Sequence, residues 1–148
     1  MVTSTEMYDL FYGERLQDAF LHSHTHTGNG LACAVAVAAH DITQSEAHLQ
    51  HALKLGQKMR ENMHDIAEVT GCLHQVRQLG AMVAADIKHP KTPRDGYRVM
   101  QAAVQNGALL RPLGNTLYWC PPCTMTLAEC DKLAAVTERS IETSLWEN

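Results

Sequence analysis

Aromatic side chains are scarce, 5% of the 148 residues, so a hydrophobic core has to come mainly from Leu, Val, Met and Ala. Positive charge is short as well. Twelve Lys and Arg stand against sixteen Asp and Glu, a formal charge of −4 with neutral His. The clustered basic face that holds nucleic acid or an anionic membrane is therefore not expected. No apolar run approaches the ~20 residues of a membrane span. The opening Met1-Val2-Thr3-Ser4-Thr5-Glu6 lacks the charged and apolar regions of a signal peptide. Five cysteines, Cys33, Cys72, Cys120, Cys123 and Cys130, cannot all pair within one chain. Reduced thiols and a cytoplasmic setting are the expectation. What is present is ordinary for a folded domain: 45% apolar and 19% charged residues, too hydrophobic for disorder.

The pattern along the chain predicts a short helix around Met7 to Gln17 that carries Tyr8, Phe11 and Tyr12. Rings so early in a short chain have little to pack on, so the segment reads as the edge of something larger. A helix is expected from Gly28-Asn29, with Leu31, Val35, Ala38 and Ile42 at helical spacing. After a break at Asp41 to Ser45, a second helix places Leu49, Leu53, Met59 and Met63 on one face. Cys72 to Ile87 reads as two strands meeting at Gly80. Thr92-Pro93 starts a helix with a Tyr97, Met100 and Val104 stripe, closed by Asn106-Gly107. Leu109 to Arg111 and Thr116 to Cys120 read as two short strands around Pro112-Leu113-Gly114-Asn115. Thr126 and Glu129 form a capping box for a last helix buried through Leu127, Cys130, Leu133, Ala134, Thr137 and Ile141. The whole is an α+β layer with a short mixed or antiparallel sheet packed against helices.

Four constellations could carry chemistry. His22, His24 and His26 alternate, so an extended chain puts them on one face, the spacing a metal wants. No fourth ligand lies nearby in sequence, and a solvated or pocket-lining polar loop is favoured over a metal site. The same segment sets Thr25, Thr27 and Gly28 just before a helix N-terminus, where backbone N–H groups and the helix dipole favour a phosphate. Simple helix capping is the competing explanation. Cys120-Pro121-Pro122-Cys123 is a CxxC, but it ends a strand instead of opening a helix, so packing is favoured over redox chemistry. Arg111, at the end of the apolar run Leu109-Leu110, must either be paired within the layer or face a cleft, where its fork suits a carboxylate.

Phe20-Leu21-His22-Ser23-His24-Thr25-His26-Thr27-Gly28-Asn29-Gly30-Leu31-Ala32-Cys33-Ala34 resembles the phosphate-threonine motif of the class III aminotransferases, fold type I enzymes that use pyridoxal 5'-phosphate. Three later stretches keep that family's order: Val76 to Met82, Gly107 to Asn115, and Leu117 to Pro122. The Arg111-Pro112-Leu113-Gly114-Asn115 run, with Tyr118 and Pro121-Pro122 after it, is most similar to the family's biotin-synthesis branch. That branch uses S-adenosylmethionine as amino donor and converts 8-amino-7-oxononanoate to 7,8-diaminononanoate. The resemblance spans nearly all 148 residues and corresponds to the C-terminal part of such an enzyme.

The resemblance implies residues 1–27 as a trailing strip of the large cofactor-binding domain and 28–148 as the small C-terminal domain. Thr25 would give its hydroxyl to the cofactor phosphate, in this family across a dimer interface. Ser23 and His24 would sit beside the substrate, Arg111 would hold its carboxylate, and Leu113 and Tyr118 would line the pocket nearby. Gly30 stands where the family usually has proline, which removes no chemical group. The Schiff-base lysine precedes this region in the family. Lys54, Lys58, Lys88, Lys91 and Lys132 all follow Thr25, in the wrong order to replace it. The chain is therefore expected to be inactive alone and to work as a homodimer or with a complementary N-terminal half. A non-catalytic interaction module of the same fold and a small His/Cys metal-binding domain are the alternatives.

Overall fold

The computed structural model describes residues 3–25 and 27–146, so His26 of the expected histidine face lies outside the described residues. Contacts divide the chain into two units, one ending at His40 and the other beginning at Asp41.

The first unit has no buried residue in any of its elements. Where one helix was expected over Met7 to Gln17, there is a five-residue helix α1 (Thr5–Asp9), capped by the Ser4 hydroxyl, and a 3-10 turn at Leu16–Asp18. Gly13 lies between them, where Arg15 and Asp18 form a local ion pair at 2.8 Å. A continuous helix loses to those local contacts and to the helix cost of glycine. Tyr8 stacks on Tyr12 and Phe11 tilts against Phe20, both with ring centroids 5.5 Å apart. Helix α2 (Gly30–Thr43) begins in this unit. Its expected stripe is exposed: Leu31 at 83%, Val35 at 69% and Ile42 at 62%.

The second unit contains the core. Helix α3 (Glu46–Thr70) is capped by the Ser45 hydroxyl and buries Leu55, Met59, Met63 and Ile66. Those residues recur every three or four positions, the stripe a helix needs to lie on a sheet. Leu49 and Leu53, expected on the buried face, are exposed because they precede the turns that meet the sheet. Strands β1 (Leu73–Leu79), β2 (Met82–Ile87) and β3 (Thr116–Trp119) form an antiparallel sheet in that order.

Alternation along β2 and β3 sends Val83, Ala85, Ile87, Leu117 and Trp119 into the core. Ala84, Asp86, Thr116 and Tyr118 therefore belong to the opposite face. Helix α4 (Asp95–Gln105) buries Val99 and Ala103, not the expected Tyr97, Met100 and Val104 stripe, of which Tyr97 and Val104 are exposed. Helix α5 (Leu127–Ile141) starts at the expected capping box and buries Cys130, Thr137 and Ile141, with Leu127 exposed. A π-helical turn, Glu142–Trp146, follows it.

Leu109 to Arg111 is not a strand, which corrects the expected second hairpin. Pro112 has no N–H to give a ladder, and the pairing beyond β3 is a single bridge between Leu113 and Thr116.

Candidate functional site

In the second unit, the site grows from the turn that carries Arg111. Gly114 sits at φ 59°, a left-handed conformation that glycine adopts without strain. The Asn115 side chain then ties the turn to the start of α4. Its Oδ1 accepts from the Gly96 N–H at 3.0 Å and its Nδ2 donates to the Thr92 carbonyl at 2.8 Å. Its backbone carbonyl accepts from the Ile87 N–H at 2.9 Å. Gly96 is required for this fit, because a Cβ there would run into the Gly114 carbonyl oxygen. The Arg-Pro-Leu-Gly-Asn turn is thus fastened to both a strand end and a helix start.

Arg111 itself is exposed and forms no ion pair among the described residues, so the structural salt bridge that competed with a ligand role is not formed there. Arg111, Leu113 and Tyr118 line one open hollow of about 370 Å³ together with Met82, Ala84, Pro112 and Thr116. Ala84, Thr116 and Tyr118 come from the sheet face turned away from the core, so the hollow has a floor of strands, with Arg111 in its lining. A second hollow, of about 570 Å³, runs from Arg111 past Trp119 and Cys120 to Met125 and Leu133. The Trp119 indole N–H is buried there without a hydrogen-bond partner among the described residues.

Beside the floor, on the same face of the sheet, a polar network locks the strands. β1 carries a bulge between His74 and Arg77, with Gln75 at φ 52°. The bulge turns Arg77 so that its fork meets Asp86, with N–O distances of 2.8 and 3.0 Å, while the Thr116 hydroxyl donates to Asp86 at 2.6 Å. The Arg77 hydrogen bonds, with that of Thr116 behind them, hold the Asp86 carboxyl below the ordinary carboxylate range. This network could not be read from the sequence, because it depends on the register set by the bulge.

In the first unit, the loop before α2 separates the two explanations offered for its hydroxyls. The His24 N–H donates to the Thr27 hydroxyl at 3.1 Å and the Thr27 N–H to the His24 carbonyl at 2.9 Å, so Thr27 closes a turn. Asn29 caps α2 by accepting from the Ala32 N–H at 2.9 Å. Capping and turn formation thus use Asn29 and Thr27. They leave Thr25 exposed, its hydroxyl without a partner among the described residues. The N–H groups of Gly30 and Leu31, in the first turn of a 14-residue helix, have no intrahelical acceptor. A free hydroxyl and orphan N–H groups, five and six residues apart in one loop and helix start, are donors of the kind a phosphate takes, so their chemistry fits the phosphate of pyridoxal 5'-phosphate. Ser23 and His24 are exposed in the same loop.

Among the described residues, no three His, Cys, Asp or Glu side chains are grouped to hold a metal ion. All five cysteines carry free thiols, Cys120 exposed and Cys123 half-buried. No helix among the described residues is long and apolar enough to cross a membrane.

Known proteins share the fold and sequence pattern of this chain. The chain is 36% identical to an adenosylmethionine-8-amino-7-oxononanoate aminotransferase of Geobacter sulfurreducens, over 96% of this chain and 33% of that protein. It is 34% identical to the enzyme of the same name from Synechococcus elongatus, over 90% and 32%. The chain therefore spans about a third of the length of the curated relatives it matches. Among solved structures, the adenosylmethionine-8-amino-7-oxononanoate aminotransferase of Methanocaldococcus jannaschii superposes with a TM-score of 0.80 at 26% identity, covering 97% of this chain and 34% of that one. An acetylornithine aminotransferase of Elizabethkingia anophelis gives 0.73 at 32% identity, over 82% and 32%. Residues 1–141 match the class III aminotransferase family, whose members depend on pyridoxal 5'-phosphate, and the chain belongs to that family.

Proposed function

We propose that this chain supplies the phosphate loop and the carboxylate-binding turn of an aminotransferase of the biotin-synthesis type, which moves an amino group from S-adenosylmethionine to 8-amino-7-oxononanoate. In this reading residues 1–27 belong to the large domain and 28–148 to the small one. Thr25 and the α2 N–H groups hold the cofactor phosphate, with Ser23 and His24 beside the substrate. Pyridoxal 5'-phosphate, when bound, supplies the electron sink that amino-group transfer needs. Arg111 pairs with the substrate carboxylate through two parallel hydrogen bonds, and Leu113 and Tyr118 pack on the aliphatic chain behind it. The lysine that carries the cofactor aldehyde comes from outside these 148 residues. The chain is then inactive alone and acts in the cytoplasm as a homodimer or with a complementary half.

The observation that carries the reading is Arg111, which has no ion pair among the described residues, sharing one hollow with Leu113 and Tyr118 on a turn fastened at three points. A second reading, a non-catalytic interaction module, draws on the exposed Tyr8, Phe11, Tyr12 and Phe20, because apolar surface of that kind marks association. Two measurements decide. Treating the chain with pyridoxal 5'-phosphate and borohydride should leave no adduct confined to one lysine. Adding the lysine-bearing portion of a relative should restore amino transfer. A stoichiometric adduct at one of the five lysines, or a stable complex without any transfer, would overturn the proposal.

A further inference from the structure

The Arg111 side chain is exposed and makes neither an ion pair nor a hydrogen bond among the described residues. An arginine without partners keeps its rotamer freedom, so the reach of its guanidinium is set by where the backbone fixes its Cα. That backbone is held from the C-terminal side. Pro112 locks its own φ and restricts the residue before it, which is Arg111. Pro112 also packs on the start of α4, since a Cβ added at Gly96 would come within 3.0 Å of the Pro112 Cβ. Leu113 and Thr116 then close the turn by exchanging N–H to carbonyl hydrogen bonds of 2.9 and 3.0 Å.

One side chain joins this turn to α4. Asn115 Nδ2 donates to the Thr92 carbonyl at 2.8 Å, and its Oδ1 accepts from the Gly96 N–H at 3.0 Å. The Gly96 N–H lies in the first turn of α4 and has no intrahelical acceptor, so Asn115 satisfies an orphan donor there. Thr92 is itself anchored. The Asp95 carboxylate, only 1% exposed, accepts from the Thr92 N–H at 3.1 Å, the Thr92 hydroxyl at 2.8 Å and the Lys91 N–H at 2.7 Å. A continuous path therefore runs from a buried carboxylate through Thr92 and Asn115 to the turn. Asn115 does not line the hollows that Arg111 lines. Any effect it has on a ligand must pass through the turn.

We infer, on the reading that Arg111 holds the substrate carboxylate, that Asn115 is the positioning residue for that contact. By clamping the turn to Thr92 and Gly96 it fixes the direction from which the guanidinium meets the carboxylate. Without the clamp the guanidinium keeps its charge but samples more directions, and less of its binding energy is realised. The carboxylate of 8-amino-7-oxononanoate lies far along the chain from the oxo group that receives the amine. Loss of the clamp therefore weakens substrate binding and spares the chemical step.

The test is steady-state kinetics on this chain joined by the lysine-bearing portion of a relative, with 8-amino-7-oxononanoate varied. Arg111→Ala should raise KM roughly ten- to a hundredfold. Asn115→Ala should raise it roughly three- to tenfold and change kcat by less than about twofold. In the Arg111→Ala background the same substitution should add less than about twofold, because its effect passes through the guanidinium. Asn115→Asp keeps an acceptor for the Gly96 N–H and should fall between Asn and Ala; it carries the same comparison if Asn115→Ala does not fold. Thr126→Ala, which removes the cap of α5, should leave KM unchanged. An unchanged KM in the Asn115 variants would overturn the positioning role while that of Arg111 stands. So would a rise of equal size with and without Arg111. An unchanged KM in Arg111→Ala, or no amino transfer by the assembly, would instead overturn the proposed function, and the positioning role with it.

Discussion

The two units of this chain solve the problem of apolar surface in opposite ways. Beyond Asp41, α3 lays Leu55, Met59, Met63 and Ile66 against the sheet, and each is at most 1% exposed. Before it, the apolar residues of α1 and α2 have no such surface, and Leu31 and Val35 face outward. Helices gain most of their stability from packing an apolar face. The second unit can therefore stand on its own contacts, whereas the first depends on whatever covers it. The functional groups divide in the same way. Arg111 rests on a turn fastened to a packed core, and Thr25 rests on a loop before an uncovered helix.

Core truncation breaks the comparison most strongly. Met59→Ala should destabilise the second unit by about 2–5 kcal/mol, measured by denaturant unfolding. Val35→Ala in α2 should change stability by less than about 0.5 kcal/mol. Equal losses at the two positions would show that α2 is packed as well as α3.

Asp95 gives the next largest effect. Asp95→Asn should cost about 1.5–3 kcal/mol, since it weakens hydrogen bonds to a buried charge. The Thr92 and Lys91 donors, outweighing burial, hold its folded pKa below the ordinary aspartate value. The stabilisation is therefore fully present above that value and is lost as pH falls through the lower folded one. Asp86 adds to the same acid-side loss. Unfolding midpoints that stay constant down to pH 3 would contradict this account.

The smallest effect concerns a feature visible in the sequence. Thr126→Ala removes the hydroxyl that accepts from the Glu129 N–H at 3.2 Å, and should cost about 1 kcal/mol. A neutral result by thermal unfolding would show that α5 is held by its buried face alone.

Such local devices were the legible part of the fold. The capping box at Thr126 and Glu129, the bend at Gly80 and the Ser45 break each depend on a few neighbouring residues. What escaped reading depends on contacts between distant segments. Helix α4 offers two apolar stripes, and only the approach of Gly96 to the Gly114 carbonyl shows why Val99 and Ala103 face inward. The run Leu109 to Arg111 has strand composition, yet Pro112 withholds a ladder donor. Among the site residues, Arg111 stood out because a lone guanidinium ended an apolar run. Met82, Ala84 and Thr116 gave no signal of their own, since only the sheet register brings them to its hollow. The clip formed by Asn115 was hidden for the same reason, because its partners lie 19 and 23 positions away.

The most direct test of the functional account compares two substitutions in one assembly, this chain joined by the lysine-bearing portion of a relative. Arg111→Ala should weaken binding of the keto-acid substrate roughly ten- to a hundredfold and leave cofactor affinity nearly unchanged. Thr25→Ala should do the reverse, with cofactor affinity lost first. If Arg111→Ala instead unfolds the protein while any folded fraction binds substrate normally, Arg111 is a structural residue and the account of this site is wrong.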